Sequence, residues 1–165
     1  MRPHLAIYAG TFDPITSGHL SVIRRAQSLF GHVLVVVAVN PDKRPLFQPE
    51  ERITLIKEAA AMIPNVECAT LETLIADFAR EKGATVLVRG IRSVTDVEIE
   101  MALANFNSSI APEILTVFIP SEPEFADISS SRLKEMAARG EDVTAFCPAN
   151  VARRLSERLR DGFEK

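Results

Sequence analysis

Five short apolar runs, rich in β-branched residues, recur along the chain: Leu5–Ala9, His32–Val39, Val66–Thr70, Thr85–Arg89 and Leu115–Ile119. The second is nearly continuous valine, the pattern of a strand covered on both faces. Between the runs, apolar residues fall at helical spacing. Val22, Ile23, Ala26, Leu29 and Phe30 form one such stripe in a helix starting from His19. Pro49 followed by Glu50 and Glu51 predicts a helix start, because proline suits the first turn and carboxylates complement its dipole; that helix is expected to reach about Met62. Another is expected over Leu74–Lys82, stopping at Gly83. Thr95 with Glu98 has capping-box spacing ahead of a helix to about Ser109, where Pro112 blocks continuation. Ser130–Arg139 and Pro148–Leu159 predict the last two helices.

Strand–helix alternation implies right-handed crossovers. The expected fold is an α/β, Rossmann-like, doubly wound five-stranded parallel sheet with helices on both faces. The length, 165 residues, suits a single domain over 1–165, and no linker or repeat interrupts it. In such sheets ligands bind beyond the carboxyl ends of the strands, near the switch point. The segments to inspect are therefore Gly10–His19, Asn40–Pro45, Leu71–Thr73, Arg89–Val94 and Pro120–Ser131.

Composition narrows the function classes. The apolar fraction of 47% and charged fraction of 25% are ordinary for a globular protein. A net charge of −3 argues against general nucleic-acid binding. Cys68 and Cys147 are too few for a disulfide framework and read as small core residues. No apolar run is long enough to span a bilayer, and the first residues carry no leader-like segment. A cytoplasmic location is expected.

The segment from Gly10 to His19 follows a strand and opens a helix. Gly10 is read as the tight-turn residue, and Gly18 as the position that lets a phosphate approach backbone N–H groups at the helix start. His19 in the first turn is expected to be neutral, its pKa lowered by the positive helix end, and still able to donate one N–H. A lone histidine there would usually be a solvent-facing one. The accompanying Gly10, Thr11 and Gly18 shift the balance toward a phosphate site. Neither a dinucleotide glycine fingerprint nor a P-loop is present.

Gly10-Thr11-Phe12-Asp13-Pro14 followed by Thr16-Ser17-Gly18-His19 resembles the (H/T)xGH signature of the nucleotidylyltransferase superfamily, and specifically the bacterial phosphopantetheine adenylyltransferases. Asn40-Pro41-Asp42-Lys43-Arg44-Pro45 is similar to that family's lysine loop. Val88-Arg89-Gly90-Ile91-Arg92 is similar to its arginine loop, and Ile128-Ser129-Ser130-Ser131 to its late serine motif. Ala9, Thr73, Ala126 and Asp127 depart from the family pattern.

The resemblance implies transfer of AMP from ATP to 4'-phosphopantetheine, giving dephospho-coenzyme A and pyrophosphate. It implies catalytic roles for Thr11, His19 and Lys43. Phe12, Gly90, Ile91, Arg92 and Glu100 would contact ATP, together with the stretch Phe125, Ala126, Asp127, Ile128, Ser129, Ser130 and Ser131. Arg89 would hold the acceptor phosphate, while Leu74 and Ile75 would line its pantetheine arm. Magnesium is expected to arrive with ATP, and no metal-binding residues are assigned. A homohexamer and feedback binding of coenzyme A are also implied.

Blander readings stand beside these. Lys43-Arg44 is alone more often a solvated turn, Arg92 a surface residue, Glu98 a cap partner and Ser129–Ser131 a helix cap. Arg89 is harder to dismiss, because a charge ending a valine-rich strand needs a partner. The competing functions are a cytidylyltransferase or a mononucleotide adenylyltransferase, a non-catalytic nucleotide-binding module and, more remotely, a dinucleotide oxidoreductase.

Overall fold

The computed structural model describes residues 4–39 and 44–163, with side chains to residue 160. Five strands, β1 (His4–Gly10), β2 (Gly31–Ala38), β3 (Val66–Leu71), β4 (Val86–Ile91) and β5 (Leu115–Pro120), form one sheet in the order β3-β2-β1-β4-β5. Every pairing is parallel. Among the described residues, four α-helices alternate with the strands, α1 (Ser17–Phe30), α2 (Pro49–Ala59), α3 (Ile75–Glu81) and α4 (Val94–Ile110), and two follow β5, α5 (Ser130–Ala138) and α6 (Ala149–Phe163). The sequence order reverses between β1 and β4, so the carboxyl ends of those two strands form the switch point.

Alternate residues of the central strands feed two cores. Ala6, Tyr8, Val33, Val35 and Val88 pack with α1, α2, α5 and α6 on one face. Ile7, Ala9, Leu34, Val36 and Leu87 pack with Ala76 and Ala79 of α3 and with Ala111 and Ile114 after α4 on the other. This two-sided burial is why β1 and β2 lack the polar alternation of a half-exposed strand.

Several boundaries differ from expectation. The cap of α4 is Ser93, whose hydroxyl accepts from the Asp96 N–H at 3.1 Å; Thr95 lies inside the helix, so Thr95 and Glu98 do not form its capping box. Helix α2 ends at Ala59 rather than Met62. Pro64 disfavours helix at the residue before it, and Asn65 takes a left-handed φ of 55° to lead into β3. A short 3-10 turn, Pro123–Phe125, was not anticipated. Gly83, at φ 68°, closes the α3 end as expected. Among the described residues, no helix is long and apolar enough to cross a membrane.

Candidate active site

A cleft of about 300 Å³ opens at the switch point. Tyr8, Ala9 and Gly10 from the end of β1, Arg89 and Gly90 from the end of β4, and Ser129–Ser131 at the start of α5 all line it.

The first loop is built around Phe12. Its ring is buried and packs edge-on against Tyr8, centroids 5.3 Å apart, and against His19 at 5.1 Å. The tight turn falls at Phe12, which takes φ 48°, and not at Gly10. A β-carbon on Gly10 would lie 3.0 Å from the Phe12 ring. Gly10 is therefore small to admit that ring, and burial of the ring offsets the roughly 1–3 kcal/mol cost of the left-handed backbone. Gly18 also has a different immediate reason. A β-carbon there would meet Phe125 Cβ at 3.3 Å, so the glycine first of all admits the 3-10 turn.

His19 is half-buried at the third position of α1. The Thr16 backbone N–H donates to its Nδ1 at 3.0 Å, and the Thr16 hydroxyl lies 3.1 Å from the same atom. A backbone N–H can only donate, so Nδ1 is the unprotonated nitrogen and the ring proton sits on Nε2. Burial pushes the pKa down to about 4, helped by the Arg92 guanidinium. The direction is the one expected, but the causes are desolvation and the Arg92 charge.

Arg89 has the partner its position demands. Its Nε donates to Glu100 Oε2 at 2.5 Å and its Nη2 to Oε1 at 2.9 Å, while Nη1 donates to the Ala9 carbonyl at 3.1 Å. Glu100 is thus the counter-ion of Arg89. Arg92 is held in a similar way by Asp96, with Nε 3.0 Å from Oδ2. Ser129 caps α5, accepting from the Arg132 N–H at 3.0 Å, and Ser130 donates to the Pro14 carbonyl at 2.8 Å.

Of the residues singled out in the sequence, Thr11, Phe12, His19, Arg89, Gly90, Arg92, Glu100, Ile128, Ser129, Ser130 and Ser131 line the cleft together. Ile91, Phe125, Ala126 and Asp127 lie outside its lining. Phe125 and Ala126 instead form the turn over Gly18 and its end. Leu74 and Ile75 are also absent from the lining: they begin α3 after β3, two strands away from β1. Leu74 is exposed there and Ile75 packs on the second core. Lys43 and the Asn40–Asp42 stretch fall outside the described residues.

Some contributors had no assigned role. Tyr8, Thr16, Val22 and Ser121 line the cleft, and a β-carbon at Gly90 would sit 3.0 Å from the Tyr8 hydroxyl. Beneath it, Arg52, 2% exposed, donates to the Thr11 carbonyl at 2.8 Å. Asp13, 4% exposed, accepts from Leu46, Phe47 and Lys134. Thr16 was visible in the motif; the buried charges had no periodic signal.

The cleft at the switch point thus brings together a neutral N–H donor at a helix start and two guanidinium groups, donor types that suit an anionic ligand. The model of the cytidylyltransferase-like family matches residues 7–136. The chain belongs to that family. Two solved structures share the fold of this cytidylyltransferase-like protein. One is a candidate nicotinate-nucleotide adenylyltransferase from Vibrio parahaemolyticus, 20% identical, with a TM-score of 0.69 over 96% of this chain and 92% of the other. The second is a lipopolysaccharide core biosynthesis protein from Thermoplasma volcanium GSS1, 21% identical, with a TM-score of 0.53 over 72% and 96% of the respective chains. Membership in this branch of the nucleotidylyltransferases makes a transferase acting on a nucleotide the functional class of the chain.

Proposed function

We propose that the protein is a cytoplasmic adenylyltransferase that moves AMP from ATP to 4'-phosphopantetheine. The carrying observation is the fixed tautomer of His19, which leaves a neutral Nε2–H as its remaining donor, in a cleft ringed by Thr11, Arg92 and the start of α5. In the proposed reaction an oxygen of the acceptor phosphate attacks the α-phosphorus of ATP. The bond from that phosphorus to the bridging oxygen breaks, and pyrophosphate leaves. Thr11 orients the attacking phosphate, and Lys43 neutralises charge between nucleophile and α-phosphate. His19 donates to the α-phosphate oxygens as charge builds there. Arg92 and the N–H groups at the start of α5 hold the leaving pyrophosphate. Arg89 takes the acceptor phosphate.

Among the described residues, no three His, Cys, Asp or Glu side chains converge as a metal site, and Glu100 already faces Arg89. Magnesium is proposed to arrive on the phosphates of ATP, with water as its other ligands.

A homohexamer is part of the same proposal. None of the 17 residues of α4 is buried, and Ile99, Met101, Leu103 and Phe106 are exposed on it. An apolar helix of this kind is expected to be covered by another copy. Coenzyme A, which carries the acceptor's own arm, is proposed to compete at the cleft.

The deciding assay is pyrophosphate release from magnesium-ATP with and without 4'-phosphopantetheine. Acceptor-dependent release with matching dephospho-coenzyme A is expected. Release with nicotinate mononucleotide instead, or with CTP, would reassign the substrate; ATP binding without release under any condition would favour a binding module.

A further inference from the structure

Three segments, two of which contribute residues to the cleft lining, are tied together by one carboxylate. Asp13 Oδ1 accepts the Phe47 N–H at 2.9 Å, and Oδ2 accepts both the Leu46 N–H at 2.9 Å and the Lys134 ammonium at 2.8 Å. The group is 4% exposed. Burial alone would raise its pKa, but Lys134 and the two backbone N–H groups hold the carboxyl below its ordinary value. With three donors converging on its two oxygens, the arrangement favours the ionised carboxylate.

Each tied segment carries a proposed functional group. Asp13 lies two residues beyond Thr11, whose carbonyl is separately held by buried Arg52 at 2.8 Å. Leu46 and Phe47 follow the Lys43 loop in sequence, and Phe47 is anchored in the first core. Lys134 belongs to α5, whose first residues Ser129–Ser131 line the cleft. Asp13 and Lys134 are themselves absent from the lining.

We propose that Asp13, with Lys134, is a positioning residue that fixes the first loop, the exit of the lysine loop and the start of α5 relative to one another. The catalytic part of this inference rests on the adenylyl-transfer reading; the tie itself does not. An amide cannot replace the carboxylate, because its NH₂ group would face either the Phe47 N–H or the Leu46 N–H and the Lys134 ammonium. Misplacing reacting groups by about 1 Å can cost on the order of a hundredfold in rate.

The test compares Asp13→Asn, Lys134→Met and Lys134→Arg in the full chain. In amide hydrogen exchange of the ligand-free protein, Lys134→Met is expected to speed exchange at Leu46 and Phe47, far from the substitution in sequence, and Lys134→Arg to restore protection. Asp13→Asn is expected to loosen the first turn of α5 as well. In turnover assays Lys134→Met should lower kcat by roughly ten- to a hundredfold with the ATP KM within about threefold, while Tm changes by only a few degrees. Faster exchange confined to the neighbours of residue 134 overturns the tie. A lower Tm with kcat intact overturns the positioning role. If Asp13→Asn does not fold, the two Lys134 variants still decide. A wild-type protein that releases no pyrophosphate removes the transfer reading, and the exchange data still judge the tie.

Discussion

His19→Ala is the perturbation that tests the proposed chemistry most directly. The Thr16 N–H, 3.0 Å from Nδ1, fixes the ring proton on Nε2. With a pKa of about 4, roughly one ring in a thousand is charged at pH 7. The donor is therefore present throughout the neutral range and needs no reorganisation as charge develops on the α-phosphate. Removing one such donor costs about 2.7–4 kcal/mol of barrier, or a factor of about 10² to 10³ in kcat. ATP affinity should change little, because the interaction is strongest in the transition state. The depressed pKa also has a stability signature. Between its folded value near 4 and the ordinary 6.5, the unfolded chain binds more protons than the folded one. Stability therefore falls as pH drops through that window, by about 1.36 kcal/mol per pH unit and about 3 kcal/mol in all. Below pH 4 the ring is charged in both states and this loss stops growing. Pyrophosphate release and ATP calorimetry measure the first effect; urea unfolding of wild type and His19→Ala from pH 7.5 to 4.5 measures the second. Near-normal kcat in the variant would remove His19 from the mechanism. Parallel stability profiles for the two proteins would refute the half-buried, neutral imidazole.

Arg89→Ala is expected to raise the 4'-phosphopantetheine KM by roughly ten- to a hundredfold, from the loss of charge-assisted hydrogen bonds, with a much smaller change for ATP; equal weakening of both would reassign Arg89. Gly90→Ala should lower unfolding free energy by about 1–3 kcal/mol in urea, because the new β-carbon crowds the Tyr8 hydroxyl at 3.0 Å and Val22 at 3.3 Å. Phe106→Asp, on the uncovered face of α4, should shift sedimentation toward smaller species while leaving Tm of the folded protomer measurable; an unchanged sedimentation coefficient would show that another surface, or none, joins the copies.

The fold was legible because its signal is periodic and local. The valine run of β2 and the stop at Gly83 each depend on residues within one element and lie as expected; the α1 stripe holds at Val22, Ile23 and Ala26, but the helix begins at Ser17 and Leu29 is exposed. Where local signals competed, the structure chose between them. Ser93 captured the α4 start from Thr95 because its hydroxyl receives the Asp96 N–H. The approach of Pro64 and the left-handed Asn65 shortened α2. The cleft was legible for a related reason: the carboxyl ends of β1 and β4 meet at the switch point whatever their side chains, so Thr11, His19, Arg89 and Gly90 converge by topology.

What the sequence could not disclose is the identity of partners separated by long stretches of chain. Arg89 at the end of a valine-rich strand announced a counter-ion but not which one, and Glu100 supplies it from the next helix. The same holds more strongly for the buried charges. Asp13 meets residues 33, 34 and 121 positions away, and Arg52 reaches back 41 positions to Thr11. These pairs leave no periodicity, because a single buried charge is dictated by the geometry of its surroundings and not by the repeat of its own element. A motif such as Gly10–Pro14 therefore mixes two kinds of requirement. Thr11 lines the cleft, where the proposed ligand would bind. Gly10 answers to the Phe12 ring, and Asp13 to the loop exit and α5. A substitution at Thr11 should accordingly alter turnover at constant stability, whereas one at Gly10 should alter both together. That contrast separates the residues that act on a ligand from those that hold them in place.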